Sequence, residues 1–349
     1  MRHTASLTQL AGPMLLILLA AALGTTASTS TQVYFINALV SVTIVVALYV
    51  FIGNTGVLSF GHISFVALGA WTAGVLSVPS GVKPAIMPNL AGFLRHTTVA
   101  NVPSLALAAV VGGVFAFVVG LALMRLSGLA AGIATFAVLQ IVNNILQYYE
   151  KIGPGQNTFS SVPETTGIWQ AAIGALIAVA VAFVYQRSRF GRMLRATRED
   201  PAAASAAGIS MYVQRLGAFV LSGVLAGFAG GLYVHLLPLN AGALYLDLTF
   251  VTLAMLVVGG SSSLWGAVVG ALAISALDSF LAEAENGVKI VGVFNLDLPS
   301  GTRVIVEGVL MALVLIARPS GLTGGREFRL PRLRRGGPGP AAPATPDAA

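Results

Sequence analysis

The stretch VYFINALVSVTIVVALYVFI, residues 33–52, contains no charged side chain. An α-helix needs about 20 mostly apolar residues to cross the hydrocarbon core of a bilayer. Backbone amides in lipid must be hydrogen-bonded within their own segment, so a continuous apolar run of this length favours a helix. The stretch therefore predicts a membrane-spanning helix, and it sets the fold class for the chain around it.

The composition of the whole chain agrees with that prediction. Of its 349 residues, 56% are hydrophobic and 9% are charged, and the mean hydropathy is +0.87. A soluble domain has about 25% charged residues. The apolar runs are continuous rather than alternating, which argues against a transmembrane β-barrel. We therefore predict an all-α fold, a polytopic transmembrane helical bundle.

Apolar runs predict about ten membrane segments, some of them short or broken. The first, at 10–27, fits either a cleaved signal peptide or a retained helix, and we favour retention because the charge distribution then agrees with ten crossings. The run at 248–281 is interrupted by GGSSSLWG, and it is interpreted as two short helices with a bend or as a broken pair. A turn is expected at GNTG, residues 53–56. The other predicted segments are 58–78, 104–124, 129–149, 168–185, 216–237 and 304–317.

Basic residues predict the orientation. If the N-terminus is cytoplasmic and ten segments cross, every lysine and arginine lies inside except Lys83, Arg95, Lys151, Lys289 and Arg303. This asymmetry follows the positive-inside rule and predicts that both termini are cytoplasmic. It also explains the net charge of +7 without a nucleic-acid partner. Residues 1–325 are predicted to form the membrane domain, and residues 326–349 a basic, then Pro- and Ala-rich tail that is disordered.

Motifs for catalysis are missing from the sequence. A P-loop needs lysine directly after a glycine, and none of the three lysines follows one. There is no cysteine, and the four histidines lack zinc-site spacing. We predict no catalytic residue, no metal site and no cofactor in this chain, and a protein that is not itself an enzyme. Asp278 and Glu307 are the main acidic residues within spans, which weakens the case for a proton-driven transporter.

Two groups of polar residues are candidates for a translocation path. Four amides recur at spacings of three, four and seven, which places them on one helix face. An amide without a partner in hydrocarbon costs several kcal/mol, so this face is expected to meet the bundle or an aqueous path. The stretch TGVLSFGHISFVALGAWTAG, residues 55–74, supplies a second, small and hydroxyl-bearing surface. Both groups also fit ordinary interhelical hydrogen bonding. The candidates are Gln140, Asn143, Asn144 and Gln147, and Ser59, Gly61, His62 and Ser64.

Glycines at Gly223, Gly227 and Gly231 form two overlapping GxxxG steps in the segment 216–237. Such spacing allows two helices to approach closely and exchange lipid contact for van der Waals contact. We predict that this face packs against another helix. A sliding seam in a transporter is the alternative interpretation.

The stretch RFGRMLRATREDPAAASAAGIS, residues 189–210, concentrates six charged residues in a chain that otherwise avoids them. Asp200 followed by Pro201 is typical of a helix start. The alanine-rich run 202–207 has high helix propensity, and Gly208 is a natural stop. A helix of about two turns is unstable alone in water. The segment therefore predicts a short helix that docks into a partner.

Five stretches, in order, resemble the permease subunits of ABC importers for branched-chain amino acids, the LivM type. They are NTGVLSFGHISFVALGAWTAG at 54–74, SRFGRMLRATREDPAAASAAGIS at 188–210, LAGFAGGLYVH at 225–235, VVGGSSSLWGAVVG at 257–270 and RPSGLTG at 318–324. Ser262 and Ala267 stand where the family commonly has Gly and Pro, and the loop at 151–163 departs from the usual glycine-rich form. These departures leave the solute class open.

The resemblance implies a transport subunit of the bacterial inner membrane that moves branched-chain or related amino acids by alternating access. It implies two separate ABC ATPase subunits that use ATP and Mg²⁺, a homologous LivH-type permease, and an extracytoplasmic solute-binding protein. It also implies that a cytoplasmic loop, at 187–214, rests in a cleft of the ATPase. The coupling residues implied are Arg192, Arg195, Arg198, Glu199, Asp200, Pro201, Ala203, Ala206 and Gly208.

Alternatives remain at this point. The same machinery could carry urea, short amides or another small solute. An ion-coupled secondary transporter belongs to a different class, and a non-transporting membrane scaffold to a third. The arginines before Asp200 could meet anionic lipid headgroups rather than acidic residues of an ATPase.

Overall fold

Apolar helices form most of the described chain, as the continuous hydrophobic runs predict. The computed structural model describes residues 4–285, 288–290, 294–296, 299, 301–318 and 320–328. The helices within these residues are α1 (Thr4–Thr26), α2 (Thr29–Thr55), α3 (His62–Ser77), α4 (Lys83–Ile86), α5 (Gly92–Arg95), α6 (Asn101–Leu123), α7 (Gly128–Tyr148), α8 (Ile168–Arg187), α9 (Arg189–Glu199), α10 (Pro201–Ala206), α11 (Met211–Val234), α12 (Leu246–Gly259), α13 (Leu264–Glu285) and α14 (Thr302–Ala317).

Seven helices in the described residues are long and apolar enough to cross a membrane. They are α1, α2, α6, α7, α8, α11 and α13; α3 and α12 are shorter apolar helices. Together with α14, these ten helices correspond to the ten predicted segments. The prediction of an all-α polytopic bundle is confirmed. A small antiparallel hairpin, β1 (Val288–Ile290) and β2 (Phe294–Leu296), was not predicted, because three-residue strands carry little sequence signal.

The opening apolar stretch lies in α2, the central helix of the bundle. From Ala38 to Thr55 its side chains are buried in an unbroken series. A helix that is apolar on all sides belongs in a core rather than at a surface. Helices α8, α11 and α13 surround it. The helix continues to Thr55, so the turn predicted at 53–56 begins only at Gly56, which has a φ of 71°.

Helix α11 crosses α3 and α6 at close range. A Cβ atom added to Gly227 would lie 2.4 Å from the carbonyl oxygen of Ala108 on α6, and one added to Gly223 would lie 2.3 Å from the Ala116 Cβ atom. On the α3 side, a Cβ atom at Gly230 would lie 2.0 Å from the Val66 carbonyl oxygen. The predicted glycine face thus lies against α6. Gly230, which the GxxxG pattern does not include, makes the equivalent approach to α3.

The interrupted run at 248–281 forms two antiparallel helices, α12 and α13. A turn at 260–263 joins them, and Gly260 has a φ of 116° there. A Cβ atom at Gly270 would lie 2.0 Å from the Met255 carbonyl oxygen, so the two helices touch along their backbones. Both helices were expected to be short, yet α13 has 22 residues, because it continues beyond the apolar run to Glu285.

Residues 320–328, here named the C-terminal strap, bind across the α12–α13 turn. The Leu322 amide donates to the Val258 carbonyl at 2.7 Å. The Glu327 carboxylate accepts from the Leu264 and Trp265 amides at 3.0 and 3.3 Å, which caps the start of α13. The tail was predicted to start at Arg326, but Glu327 and Phe328 contact the bundle. The rest of that tail, residues 329–349, lies outside the described residues.

Candidate functional site

The charged stretch at 189–210 forms two consecutive helices, α9 and α10. Ser188 caps the start of helix α9, and its hydroxyl accepts from the Gly191 amide at 3.2 Å. Leu194 and Thr197 are buried beneath it, so α9 lies flat on the bundle. We predicted the second helix but not the first. The signal for α9 was present in its three- and four-residue spacing of apolar and basic side chains.

Arg195 points from α9 into the bundle. Its Nε atom donates to Asn54 Oδ1 and its Nη2 atom to Gln186 Oε1, both at 2.9 Å. The Tyr49 hydroxyl donates to the same Gln186 oxygen at 2.8 Å. One guanidinium thus joins the ends of α2 and α8, and hydrogen bonds to charged groups are roughly twice as strong as neutral ones. The sequence suggested a lipid or an ATPase as partner for Arg195, and the structure gives it partners within the chain.

Of the other two predicted coupling arginines, Arg198 contacts the bundle, whereas Arg192 faces outward. The Arg198 guanidinium donates to the Gly53 carbonyl at 2.6 Å, at the end of α2. Arg192 is exposed on the outer face of α9, as are Glu199 and Asp200. The predicted coupling arginines therefore divide into two that attach α9 to the bundle and one that faces outward.

Replacing Arg195 by methionine is expected to loosen α9 from the ends of α2 and α8. The change removes two charge-assisted hydrogen bonds, each contributing about 1.5–3 kcal/mol. Amide hydrogen exchange in residues 189–199 should accelerate at least about tenfold. The exposed Arg192→Met variant is the matched control and should exchange like the unaltered protein. Equal exchange in both variants would show that Arg195 does not hold α9.

Helix α10 has the start that the sequence predicts. The Asp200 carboxylate accepts from the Ala202 and Ala203 amides, both at 3.0 Å, and Pro201 occupies the first turn. The helix ends at Ala206, and Gly208 follows with a φ of 76°. Ala204 packs inward, while Ala203 and Ala206 are exposed. The outer surface of α10 is therefore small and smooth, and none of the described residues covers it.

The four amides of α7 are joined in pairs one helical turn apart. Gln140 donates to Asn144 and Gln147 donates to Asn143, both at 3.4 Å. The Tyr245 hydroxyl, at the start of α12, donates to Gln140. Asn143 is buried, whereas Asn144 is exposed. The inner side of the stripe is thus hydrogen-bonded, and its outer side is not covered by any of the described residues.

The second group of path candidates is enclosed. His62 is 1% exposed, and its Nδ1 atom is 2.7 Å from the Ser59 hydroxyl. The rings of Phe51, Phe65 and Phe219 surround the imidazole at centroid distances of 5.2–5.6 Å. Ser64 bonds back to the Gly61 carbonyl. In the described residues, no hydrogen bond joins this group to the amides of α7.

The segment between α2 and α3 still touches α7. The Phe60 amide donates to the Thr135 hydroxyl at 3.2 Å, and a Cβ atom at Gly61 would lie 2.4 Å from the Thr135 carbonyl oxygen. Thr135 was not among the predicted site residues, and neither were Asn54, Gln186 and Tyr245. Isolated polar residues in apolar runs are the signal that could have identified them, but that signal does not show which helix they contact.

These features define a multi-pass helical membrane protein with a capped helix exposed at one end. The family model described as the branched-chain amino acid transport system / permease component matches residues 30–317. The chain belongs to this family of ABC transporter permeases. The resemblance drawn from the five sequence stretches is confirmed.

Relatives agree with that family. The chain is 26% identical over 331 residues to the high-affinity branched-chain amino acid permease LivM of Salmonella typhimurium, covering 84% of this chain and 68% of the relative. The Escherichia coli LivM protein gives the same identity and coverage. A probable LivH permease of Methanocaldococcus jannaschii is 29% identical over 167 residues, 45% of this chain and 48% of the relative. No solved structure matches the chain.

Proposed function

We propose that this chain is a membrane subunit of an ATP-driven importer that takes up branched-chain or related amino acids. The family match over residues 30–317 carries this proposal. A permease subunit contributes the path and obtains its energy elsewhere, and the chain accordingly has no P-loop sequence of its own.

Helix α10 supports the assignment of partners. A six-residue helix with an alanine surface is unstable when it is exposed to water alone. Asp200 nevertheless caps its start, and α9, which Arg195 binds to the bundle, directly precedes it. Such a surface fits a shallow cleft in another protein. We assign that cleft to a pair of ABC ATPase subunits, which bind ATP and Mg²⁺ while this chain binds no cofactor.

The remaining subunits follow from the same proposal. A LivH-type permease would complete the membrane part, and an extracytoplasmic binding protein would deliver the solute. We assign α9 and α10 to the cytoplasmic side of the bacterial inner membrane, with both chain ends on that side. The exposed arginines of α9 support this orientation, because basic residues favour the cytoplasmic side. Alternation between outward- and inward-open states would follow closure of the ATPases.

Reconstitution tests this function directly. The complex should be assembled in proteoliposomes with its ATPases, its second permease and its binding protein, and L-leucine uptake measured. We expect uptake that requires ATP and the binding protein. Uptake driven by an ion gradient without ATPases would instead identify a secondary transporter.

Asn144 offers a test of the amide stripe as part of the path. Asn144→Leu removes an exposed amide that hydrogen-bonds to Gln140 within its own helix. We expect leucine uptake to fall about threefold to tenfold, the range for one lost hydrogen bond to solute. Ile141→Leu, at an exposed apolar position of the same helix, is the matched control. Unchanged uptake in Asn144→Leu would show that the amide stripe is structural and not part of the path.

A further inference from the structure

A cavity of about 420 Å³, with a largely apolar lining that also carries charged and polar side chains, lies between α2, α11, α12, α13 and α14. Pockets for small ligands span roughly 300–1,000 Å³, so an amino acid fits. Asn37 lines the cavity and lies about 25 Å along α2 from Asn54, at 1.5 Å per residue. Because Asn54 binds Arg195 of α9, the cavity is at the opposite end of the bundle from α9 and α10. None of the eight path candidates lines it.

Both signs of charge face this cavity. The Arg303 Nε atom, in the first turn of α14, lies 3.1 Å from Asp278 Oδ1 on α13. The two side chains remain 43% and 22% exposed, so each can accept another partner. Charged residues within membrane helices are expensive and mark functional sites by default. A zwitterion carries the complementary pair, with a carboxylate for the guanidinium and an ammonium for Asp278.

Ser275 provides an independent observation. It lies one turn before Asp278, lines the cavity and is 2% exposed. Its hydroxyl has no hydrogen-bond partner in the described part of the chain. Buried hydroxyl groups are nearly always satisfied. A hydroxyl both donates and accepts, so Ser275 can bind either end of a zwitterion. The Ser275 hydroxyl therefore leaves a hydrogen-bonding position open to a polar ligand.

The α12 wall of the cavity carries one carboxylate, Asp247, in its first turn and is apolar beyond it. Val251 and Met255 of α12 face the cavity across from α13. Such a wall favours an aliphatic side chain at about 25 cal/mol per Å² of buried apolar surface. A neutral sugar would leave the charged pair without complementary partners. The combination of an ion pair, an unpaired hydroxyl and an apolar wall therefore selects an aliphatic amino acid.

We propose that this cavity binds an aliphatic α-amino acid as a zwitterion, within this chain alone. The carboxylate pairs with Arg303, the ammonium group with Asp278 and Ser275, and the side chain packs on Val251 and Met255. The inference rests on the proposed function and on its orientation, which places the cavity on the side that faces the binding protein. Beyond the proposed function, the inference states that this chain recognises the solute without the binding protein.

The test uses the full-length chain in lipid nanodiscs, without ATPases or binding protein. Equilibrium dialysis should measure binding of L-leucine, of leucinamide, which lacks the carboxylate, and of 4-methylpentanoate, which lacks the ammonium group. We expect leucine to bind and each analogue to bind about tenfold more weakly, since each loses a charge-assisted contact.

Serine variants then locate the site. Ser275→Ala breaks no hydrogen bond of its side chain in the described structure, so folding should be retained. It should weaken leucine binding about threefold to tenfold. Ser279→Ala is the matched control, because Ser279 lies one turn later, bonds to the Ser275 carbonyl at 2.8 Å and does not line the cavity. It should bind leucine normally.

The outcomes separate this inference from the proposed function. Absence of leucine binding, equal binding of leucine and leucinamide, or equal effects of the two serine variants would overturn the cavity site. If the assembled importer still takes up leucine with ATP, the proposed function stands without the cavity. If the chain binds leucine as described but the assembled complex does not import it, the cavity stands and the proposed function fails.

Discussion

Gly230→Ala is expected to lower the melting temperature of the protein by about 5 °C or more. The added Cβ atom would lie 2.0 Å from the Val66 carbonyl oxygen and 2.8 Å from the Ala70 amide nitrogen. Both are backbone atoms of α3, so no side-chain rotation relieves the clash. Helix α3 must move away from α11, and its residue His62 moves away from Phe219 on α11. Thermal unfolding of the full-length protein in detergent or nanodiscs provides the measurement.

Gly217→Ala is the matched control, because it makes the same change on the same helix. No atom lies within 4 Å of a Cβ atom added at Gly217. Alanine is favoured over glycine in a helix by about 1 kcal/mol, so this variant should be unchanged or slightly more stable. If both variants melt at the same temperature, the close approach of α11 and α3 is not a tight contact.

Ala203→Arg is expected to reduce ATP-dependent leucine uptake by at least about tenfold, because an unpaired charge in a docked cleft costs more than ~1.4 kcal/mol. Ala203 is exposed on α10 and packs against nothing in the part of the chain that the structure describes. The chain should therefore insert and fold normally, with ATP hydrolysis by the partners no longer linked to uptake. Ala206→Arg, on the same surface, should act alike.

Ala203→Ser is the matched control, because it replaces the same residue without introducing a charge. Serine adds one small atom and no charge, so uptake should stay within about twofold of the unaltered protein. Uptake and ATP hydrolysis must be measured together, since a variant that fails to assemble loses both. Normal uptake in Ala203→Arg and Ala206→Arg would remove the case for docking through α10.

The helices were predictable because continuous apolar runs of about 20 residues have few alternatives in a membrane. Most predicted segments end within a few residues of the observed helices. Helix α3 starts at His62 rather than at residue 58, because residues 57–61 are mostly apolar but not helical and contact α7. Hydropathy alone does not distinguish a non-helical apolar segment from a helical one.

Site residues were predictable where the chemistry is local. The Asp200 cap and the Gly208 stop depend on neighbours in sequence, and both were identified. The inward direction of Arg195 depends on Asn54, which lies 141 residues away along the chain. The ion pair of Asp278 and Arg303 likewise joins two helices. Such pairings are set by packing, and a single sequence does not encode them in any short pattern.

The C-terminal strap constrains the order in which the protein can be completed. Glu327 caps the first amides of α13, yet the ribosome adds it after both α13 and α14. During synthesis the α12–α13 turn is therefore uncapped until α14 and the residues after it have emerged, and its final hydrogen bonds form only then. A premature stop codon between Ala317 and Glu327 would leave all the described helices complete but the start of α13 without its carboxylate cap.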